Sequence, residues 1–157
     1  MSESPEGSVR IGLNGFGRIG RNVFRASLGD PRVEVVGIND VMDDEDMAYL
    51  AKYDTVMGRL DGVRLDEGVM TVDGTDFAAS VHEETDPAEL PWDELDVDVA
   101  FECTGIFRTY DDASKHVEAG ADTVVISAPP KGEKPVTQIV YGVNHDEYDG
   151  EDVVSNA

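Results

Sequence analysis

One hexapeptide constrains this chain more than any other feature: Gly15-Phe16-Gly17-Arg18-Ile19-Gly20, which carries the spacing G-x-G-x-x-G. Glycine-rich hexapeptides are common, and the setting is what makes this one specific. Residues 9–14 (VRIGLN) alternate apolar and polar, which reads as a short strand. Over 18–28, Ile19, Val23, Phe24, Ala26 and Leu28 recur at roughly helical spacing, and Gly29-Asp30-Pro31 stops the helix. Residues 33–39 (VEVVGIN) read as a second strand. A strand–helix–strand unit of about 30 residues has the size of a parallel crossover. Each glycine then has a mechanical task. Gly15 permits the tight turn, Gly17 lets backbone approach a pyrophosphate, and Gly20 lets helix and strand pack closely. The N–H groups at the helix start, near Arg18 and Ile19, lack helical partners and face phosphate oxygens, assisted by the helix dipole. The bland alternative is a glycine-rich turn with no ligand.

Asp40 stands twenty residues after Gly20, at the end of the second strand. A carboxylate there accepts hydrogen bonds from ribose hydroxyls and repels a 2′-phosphate, so it favours NAD over NADP. Loops that bring a compensating Arg leave that choice open, and a solvated Asp beside Asp43, Asp44, Glu45 and Asp46 is the competing reading. Thr104-Gly105 and Ser127 follow the ends of two further predicted strands, where ligands of open parallel sheets lie. Plain turn formation explains them too. Arg18, Arg21 and Arg25 share one helix face; they raise local potential for an anion, or serve as a solvated face or subunit contact. Met47, Tyr49, Leu50 and Tyr53 read as core at helical spacing. His82, His116 and His145 lie far apart without metal-ligand spacing, which argues against zinc. Cys103 ends an apolar strand and reads as a small buried side chain rather than a nucleophile.

The remaining chain keeps a βα rhythm. Residues 44–53 look helical. Between 60 and 82, the turns Asp61-Gly62, Asp66-Glu67-Gly68 and Asp73-Gly74 separate short apolar runs, predicting antiparallel hairpins beside the parallel sheet. Asp86-Pro87 suits the start of a brief helical turn. Residues 97–103 read as strand, 109–119 as a helix capped by Thr109 and ended by Gly120, and 123–127 (TVVIS) as a strand covered on both faces. Short strands follow at 136–141 and 152–154. The expected fold is α/β: a Rossmann-like, doubly wound, mainly parallel sheet with a small antiparallel insert, as one domain over residues 1–157.

Composition narrows the partners. Twelve Lys+Arg oppose 34 Asp+Glu, a formal charge of −22, which disfavours nucleic acid and anionic membranes. No stretch approaches the length of a membrane span. The amino terminus, Met1-Ser-Glu-Ser-Pro-Glu-Gly-Ser8, has no signal-peptide pattern. One cysteine excludes an internal disulfide, and a cytoplasmic setting is the default expectation.

The string Asn14-Gly-Phe-Gly-Arg-Ile-Gly-Arg21 is far more specific than its glycine skeleton. It resembles the amino terminus of phosphorylating glyceraldehyde-3-phosphate dehydrogenases of bacterial type. The likeness continues through Gly37-Ile-Asn-Asp40, Met47-Ala-Tyr-Leu-Ala-Lys-Tyr-Asp54, Gly58-Arg59, Glu102-Cys-Thr-Gly-Ile-Phe107, Val125-Ile-Ser-Ala-Pro129, Gly142-Val-Asn144 and Val153-Val-Ser-Asn-Ala157. The resemblance implies NAD contacts at Asn14, Gly15, Gly17, Arg18, Ile19 and Gly20, a ribose contact at Asp40, Thr104 and Gly105 flanking the cofactor, and Ser127 on the nicotinamide side. Thr85 stands where the family usually has Arg before Asp-Pro in the adenine pocket; a main-chain contact survives that change, and side-chain packing does not. In this family Ser-Asn-Ala is followed by Ser-Cys-Thr-Thr-Asn, which carries the nucleophilic Cys. The implied activity converts glyceraldehyde 3-phosphate, phosphate and NAD to 1,3-bisphosphoglycerate and NADH, in a homotetramer. The thiolate, its activating histidine and most of the substrate-phosphate site belong to a second half that this sequence lacks, so the chain alone is expected to be inactive. Erythrose 4-phosphate as substrate, or a nucleotide-binding fragment without chemistry, are the competing readings.

Acidic residues spread along the whole chain, with lysine only at 52, 115, 131 and 134, suggest a halophilic cytosol. Such a surface repels itself at low salt and is screened at molar salt. Melting followed from roughly 0.1 to 4 M salt is expected to show marked stabilisation; a salt-insensitive melt contradicts the reading.

Overall fold

The amino-terminal crossover forms where its sequence places it. In the computed structural model, which describes residues 7–157, β1 (Val9–Asn14) runs into α1 (Arg18–Ser27), and β2 (Val33–Asn39) returns parallel to β1. Residues 1–6, most of the acidic amino-terminal stretch, lie outside the described residues. α2 (Asp44–Lys52) opens with Asp44, Glu45 and Asp46 against the positive end of its dipole. A two-stranded ribbon follows, β3 (Tyr53–Asp54) with β4 (Gly58–Arg59), too short to leave a period-two signal. Next come β5 (Val63–Asp66), β6 (Val69–Val72) and β7 (Ala78–His82). A 3₁₀ turn at Pro87–Glu89 is capped by Asp86, whose carboxylate accepts from Ala88 N–H at 3.2 Å.

The second βα unit holds β8 (Val99–Glu102), α3 (Tyr110–Ala113), α4 (Lys115–Glu118) and β9 (Thr123–Ile126), followed by β10 (Thr137–Gln138) and β11 (Val153–Ser155). The helix expected over 109–119 is thus two short helices. Ser114 Oγ donates to the Asp111 carbonyl at 2.9 Å, a local bond that competes with continuation of the helix. Thr109 Oγ1 still accepts from Asp112 N–H, as its spacing predicts.

All strands but β3 and β4 share one sheet, in the order β10-β11-β9-β8-β1-β2-β7-β6-β5. Every pairing from β10 to β7 is parallel, while β7–β6 and β6–β5 are antiparallel. The antiparallel insert therefore extends the parallel sheet instead of standing apart, because β7 pairs with β2 on its other side. Among the described residues, no helix is long and apolar enough to cross a membrane.

Apolar side chains alternate between two cores, one on each sheet face. Ile11 and Leu13 of β1 pack with Phe24 of α1 and Met47 and Ala51 of α2. Between them, Gly12 lies beneath Trp92 of the second core, where a Cβ would come 3.0 Å from the indole ring. The expectation that Tyr49 and Tyr53 are core fails. α2 turns Met47 and Ala51 inward, one turn apart, so Tyr49 points away and is 60% exposed. Its ring packs instead on Tyr53, centroids 4.8 Å apart.

Phe24 anchors the first core, fully buried between Phe16 and Phe77 at centroid distances of 5.7 and 4.9 Å. Phe24→Ala is expected to cost about 3–5 kcal/mol in a denaturant titration. A loss under about 1 kcal/mol contradicts this packing.

Candidate dinucleotide site

The parallel strands end level. Asn14, the last residue of β1, pairs with Asn39 of β2 and Glu102 of β8; Asn39 pairs in turn with His82, and Glu102 with Ile126. β2 lies on one side of β1 and β8 on the other, so strand order reverses there and a crevice opens beyond the carboxyl ends. The loops around it carry the residues singled out from sequence: 15–20 after β1, Asp40 after β2, Thr85 after β7, Thr104 and Gly105 after β8, and Ser127 after β9.

The glycines divide by cause. Gly15 has φ 98°, and a Cβ there would stand 2.7 Å from Thr104 N and 2.8 Å from the Cys103 carbonyl carbon. The loops after β1 and β8 therefore touch backbone to backbone. A Cβ on Gly20 would fall 2.0 Å from the Gly15 carbonyl oxygen, so this residue lets α1 start directly on the turn. Gly17 differs: its φ is an ordinary −71° and a Cβ would meet nothing within 4 Å. Nothing inside the chain demands glycine at that position. It precedes the first turn of α1, which has no side-chain cap, and Arg18 and Ile19 are exposed there. This combination fits a pyrophosphate lying against backbone N–H groups.

The three arginines separate as well. Arg21 Nη1 donates to the Phe16 carbonyl at 2.8 Å, bracing the loop from α1. Arg25 Nη2 donates to the carbonyls of Ala51 and Lys52, tying α1 to the end of α2. Both are bound into the fold, whereas Arg18 stays at the rim.

Asp40 is oriented by backbone. Its Oδ2 accepts from Phe16 N–H at 2.6 Å and its Oδ1 from Met42 N–H at 3.1 Å, while its own N–H donates to the His82 carbonyl. Each carboxylate oxygen has a second lone-pair direction, which suits ribose hydroxyl donors. Thr85 is exposed and follows Glu84, whose N–H and carbonyl both bond the Asn39 amide, at 2.8 and 2.9 Å. Ser127 N–H donates to the Glu102 carbonyl at 3.0 Å. Burial pushes the Cys103 thiol up to about 11, only partly offset by the nearby Ser127 side chain, so this sulfur is a protonated packing group near neutral pH.

Sequence reasoning missed a buried polar network beneath the crevice. Asn14 Nδ2 donates to Glu102 Oε2 at 2.6 Å, and Asn39 Nδ2 donates to Asn14 Oδ1 at 2.7 Å. His116 Nε2 lies 2.8 Å from the same Glu102 oxygen, and Trp92 Nε1 donates to His116 Nδ1 at 2.9 Å. The one available signal was a charged residue, Glu102, closing an apolar strand.

Comparison with known proteins agrees with this geometry. Residues 9–110 match the family model described as glyceraldehyde 3-phosphate dehydrogenase, NAD binding domain. The chain belongs to that family. Among similar proteins, the glyceraldehyde-3-phosphate dehydrogenase of Haloarcula vallismortis is 73% identical over 149 residues, covering 95% of this chain and 44% of the relative. The cytosolic glyceraldehyde-3-phosphate dehydrogenase of Leishmania mexicana is 51% identical, covering 95% and 44%. That of Geobacillus stearothermophilus is 50% identical, covering 96% and 44%. The chain thus spans less than half the length of these glyceraldehyde-3-phosphate dehydrogenases.

The two kinds of glycine are separable by experiment. Gly20→Ala is expected to lose at least about 2 kcal/mol of stability, since backbone must move to admit the methyl group. Gly17→Ala is expected to stay within about 1 kcal/mol, the cost of alanine at a helix start. Equal losses in thermal melts contradict the division.

Proposed function

We propose that this chain is the cofactor-binding part of an oxidoreductase that converts glyceraldehyde 3-phosphate, phosphate and NAD to 1,3-bisphosphoglycerate and NADH. One observation carries the reading: open space at Gly17 beside an uncapped helix start, with the Asp40 carboxylate presented at the end of the neighbouring strand. NAD, when bound, supplies the hydride acceptor. The chain's own residues bind and orient. Asn14, Gly15, Gly17, Arg18, Ile19 and Gly20 frame the pyrophosphate, whose charge the N–H groups and helix dipole offset. Asp40 takes the ribose hydroxyls. Thr85 borders the adenine through main chain, Thr104 and Gly105 flank the cofactor, and Ser127 stands on the nicotinamide side.

The whole of residues 1–157 is one NAD-binding domain in this reading, and chemistry on the aldehyde belongs to the rest of the longer protein. Cys103 takes no part in it, since burial keeps its thiol protonated. A cytoplasmic homotetramer adapted to high salt fits the family resemblance and the charge of −22.

The test is NAD titration by calorimetry. Asp40→Ala is expected to weaken NAD by about 10- to 100-fold, the worth of hydrogen bonds to a charged acceptor, and to narrow discrimination against NADP. Far-ultraviolet circular dichroism checks that the variant is folded. Unchanged uptake and unchanged coenzyme preference contradict the assignment of Asp40. Joined to the downstream sequence of the same gene, the chain is expected to give NADH formation that requires both aldehyde and phosphate.

A further inference from the structure

Glu102 is a carboxylate with 1% exposure in the middle of a sheet. Such a group is tolerated only when its lone pairs are taken up by donors. Four donors converge on it. Oε2 accepts from Asn14 Nδ2 and His116 Nε2; Oε1 accepts from Thr104 N–H at 2.9 Å and from the Thr104 hydroxyl. The roles of His116 follow from its other neighbour. Trp92 Nε1–H can only donate, so His116 Nδ1 must be the bare nitrogen and Nε2 carries the hydrogen that reaches Glu102. His116 has no exposed surface, and Trp92 is fixed over Gly12 and Gly37, where a Cβ would stand 3.0 and 2.9 Å from its ring.

The same contacts settle the Asn14 amide. Its nitrogen faces the carboxylate, and its oxygen faces Asn39, which in turn clasps the backbone of Glu84. Three loops of the crevice therefore hang on one carboxylate: the loop after β1 through Asn14, the loop after β8 through Thr104, and the loop after β7 through Asn39.

We propose that Glu102 and His116 are positioning residues of the NAD site, with His116 locking the Glu102 carboxylate that in turn sets the Asn14 amide and the Thr104 backbone around the cofactor. Neither residue touches the cofactor in this arrangement. The inference rests on the NAD reading above for what is positioned, while the hydrogen-bond pattern stands apart from any ligand.

Variants at two residues separate positioning from mere support. In Glu102→Gln, the side chain keeps its shape but offers one oxygen and one NH₂: with the NH₂ toward Thr104 the Thr104 N–H loses its acceptor, and with the NH₂ the other way the Asn14 and His116 donors lose theirs. NAD affinity is expected to fall tenfold or more while the variant stays folded by circular dichroism. In His116→Leu the donor to Glu102 is lost and NAD affinity is expected to fall at least about threefold, whereas in His116→Gln an amide nitrogen can donate to Glu102 and an amide oxygen can accept from Trp92, so affinity is expected to return toward the parent; equal affinities in the two variants contradict the role of His116. Nitrogen-15 NMR of the chain without ligand gives the readout independent of NAD. The His116 ring is expected as the Nε2–H tautomer, and the Asn14 side-chain amide as slow to exchange in the parent and fast in Glu102→Gln. The Nδ1–H tautomer, or a Glu102→Gln variant with parental affinity and an unaltered Asn14 amide, overturns the proposal. Absence of NAD uptake by the parent chain overturns the cofactor reading instead, and the ligand-free spectra then decide the network on their own.

Discussion

A level row of polar residues closes the apolar strands of this sheet, and burial forces those residues to find one another. Asn14, Asn39 and Glu102 are 2, 3 and 1% exposed, with His116 at 0% behind them. Hydrogen bonds left unmade there would each cost on the order of 1–3 kcal/mol. The row cannot shift register without breaking several at once, because the parallel pairings put Asn14 beside both Asn39 and Glu102. Loops leaving the strands therefore begin from fixed points. The Gly15 turn can then approach the Cys103–Thr104 backbone closely, and α1 can begin on the Gly15 carbonyl.

Electrostatics gives this local precision added weight. A formal charge of −22 on 157 residues repels an anionic dinucleotide at long range. In the proposed function, attraction comes from groups within hydrogen-bond distance, the N–H groups at the start of α1, and screening by salt weakens the opposing field of the whole molecule. Two of the nearby side-chain cations are tied to carbonyls of the fold: Arg25 to Ala51 and Lys52, and Arg21 to Phe16 of the loop.

Much of this was legible in the sequence because its signals are local. The strand–turn–helix setting of residues 9–28, the Asp86 and Thr109 caps and the turns of the antiparallel insert each depend on neighbours a few positions away. What escaped depends on distance or on a face. Asn14 and Glu102 are 88 residues apart, and no spacing rule joins them. His116 looked isolated because its partners, Trp92 and Glu102, are met only after the second βα unit folds back. Tyr49 was misread because its apolar ring matches core composition while its helical position does not match the Met47–Ala51 face. Ser114 breaks a helix that apolar spacing alone would continue, through one side-chain bond to Asp111.

The most direct measurement is a crystal structure of the chain grown with NAD. The pyrophosphate is expected within roughly 3 Å of the N–H groups at Arg18 and Ile19, with the adenosine ribose hydroxyls bonded to Asp40. A dinucleotide bound elsewhere, or with its diphosphate away from the start of α1, would contradict this expectation.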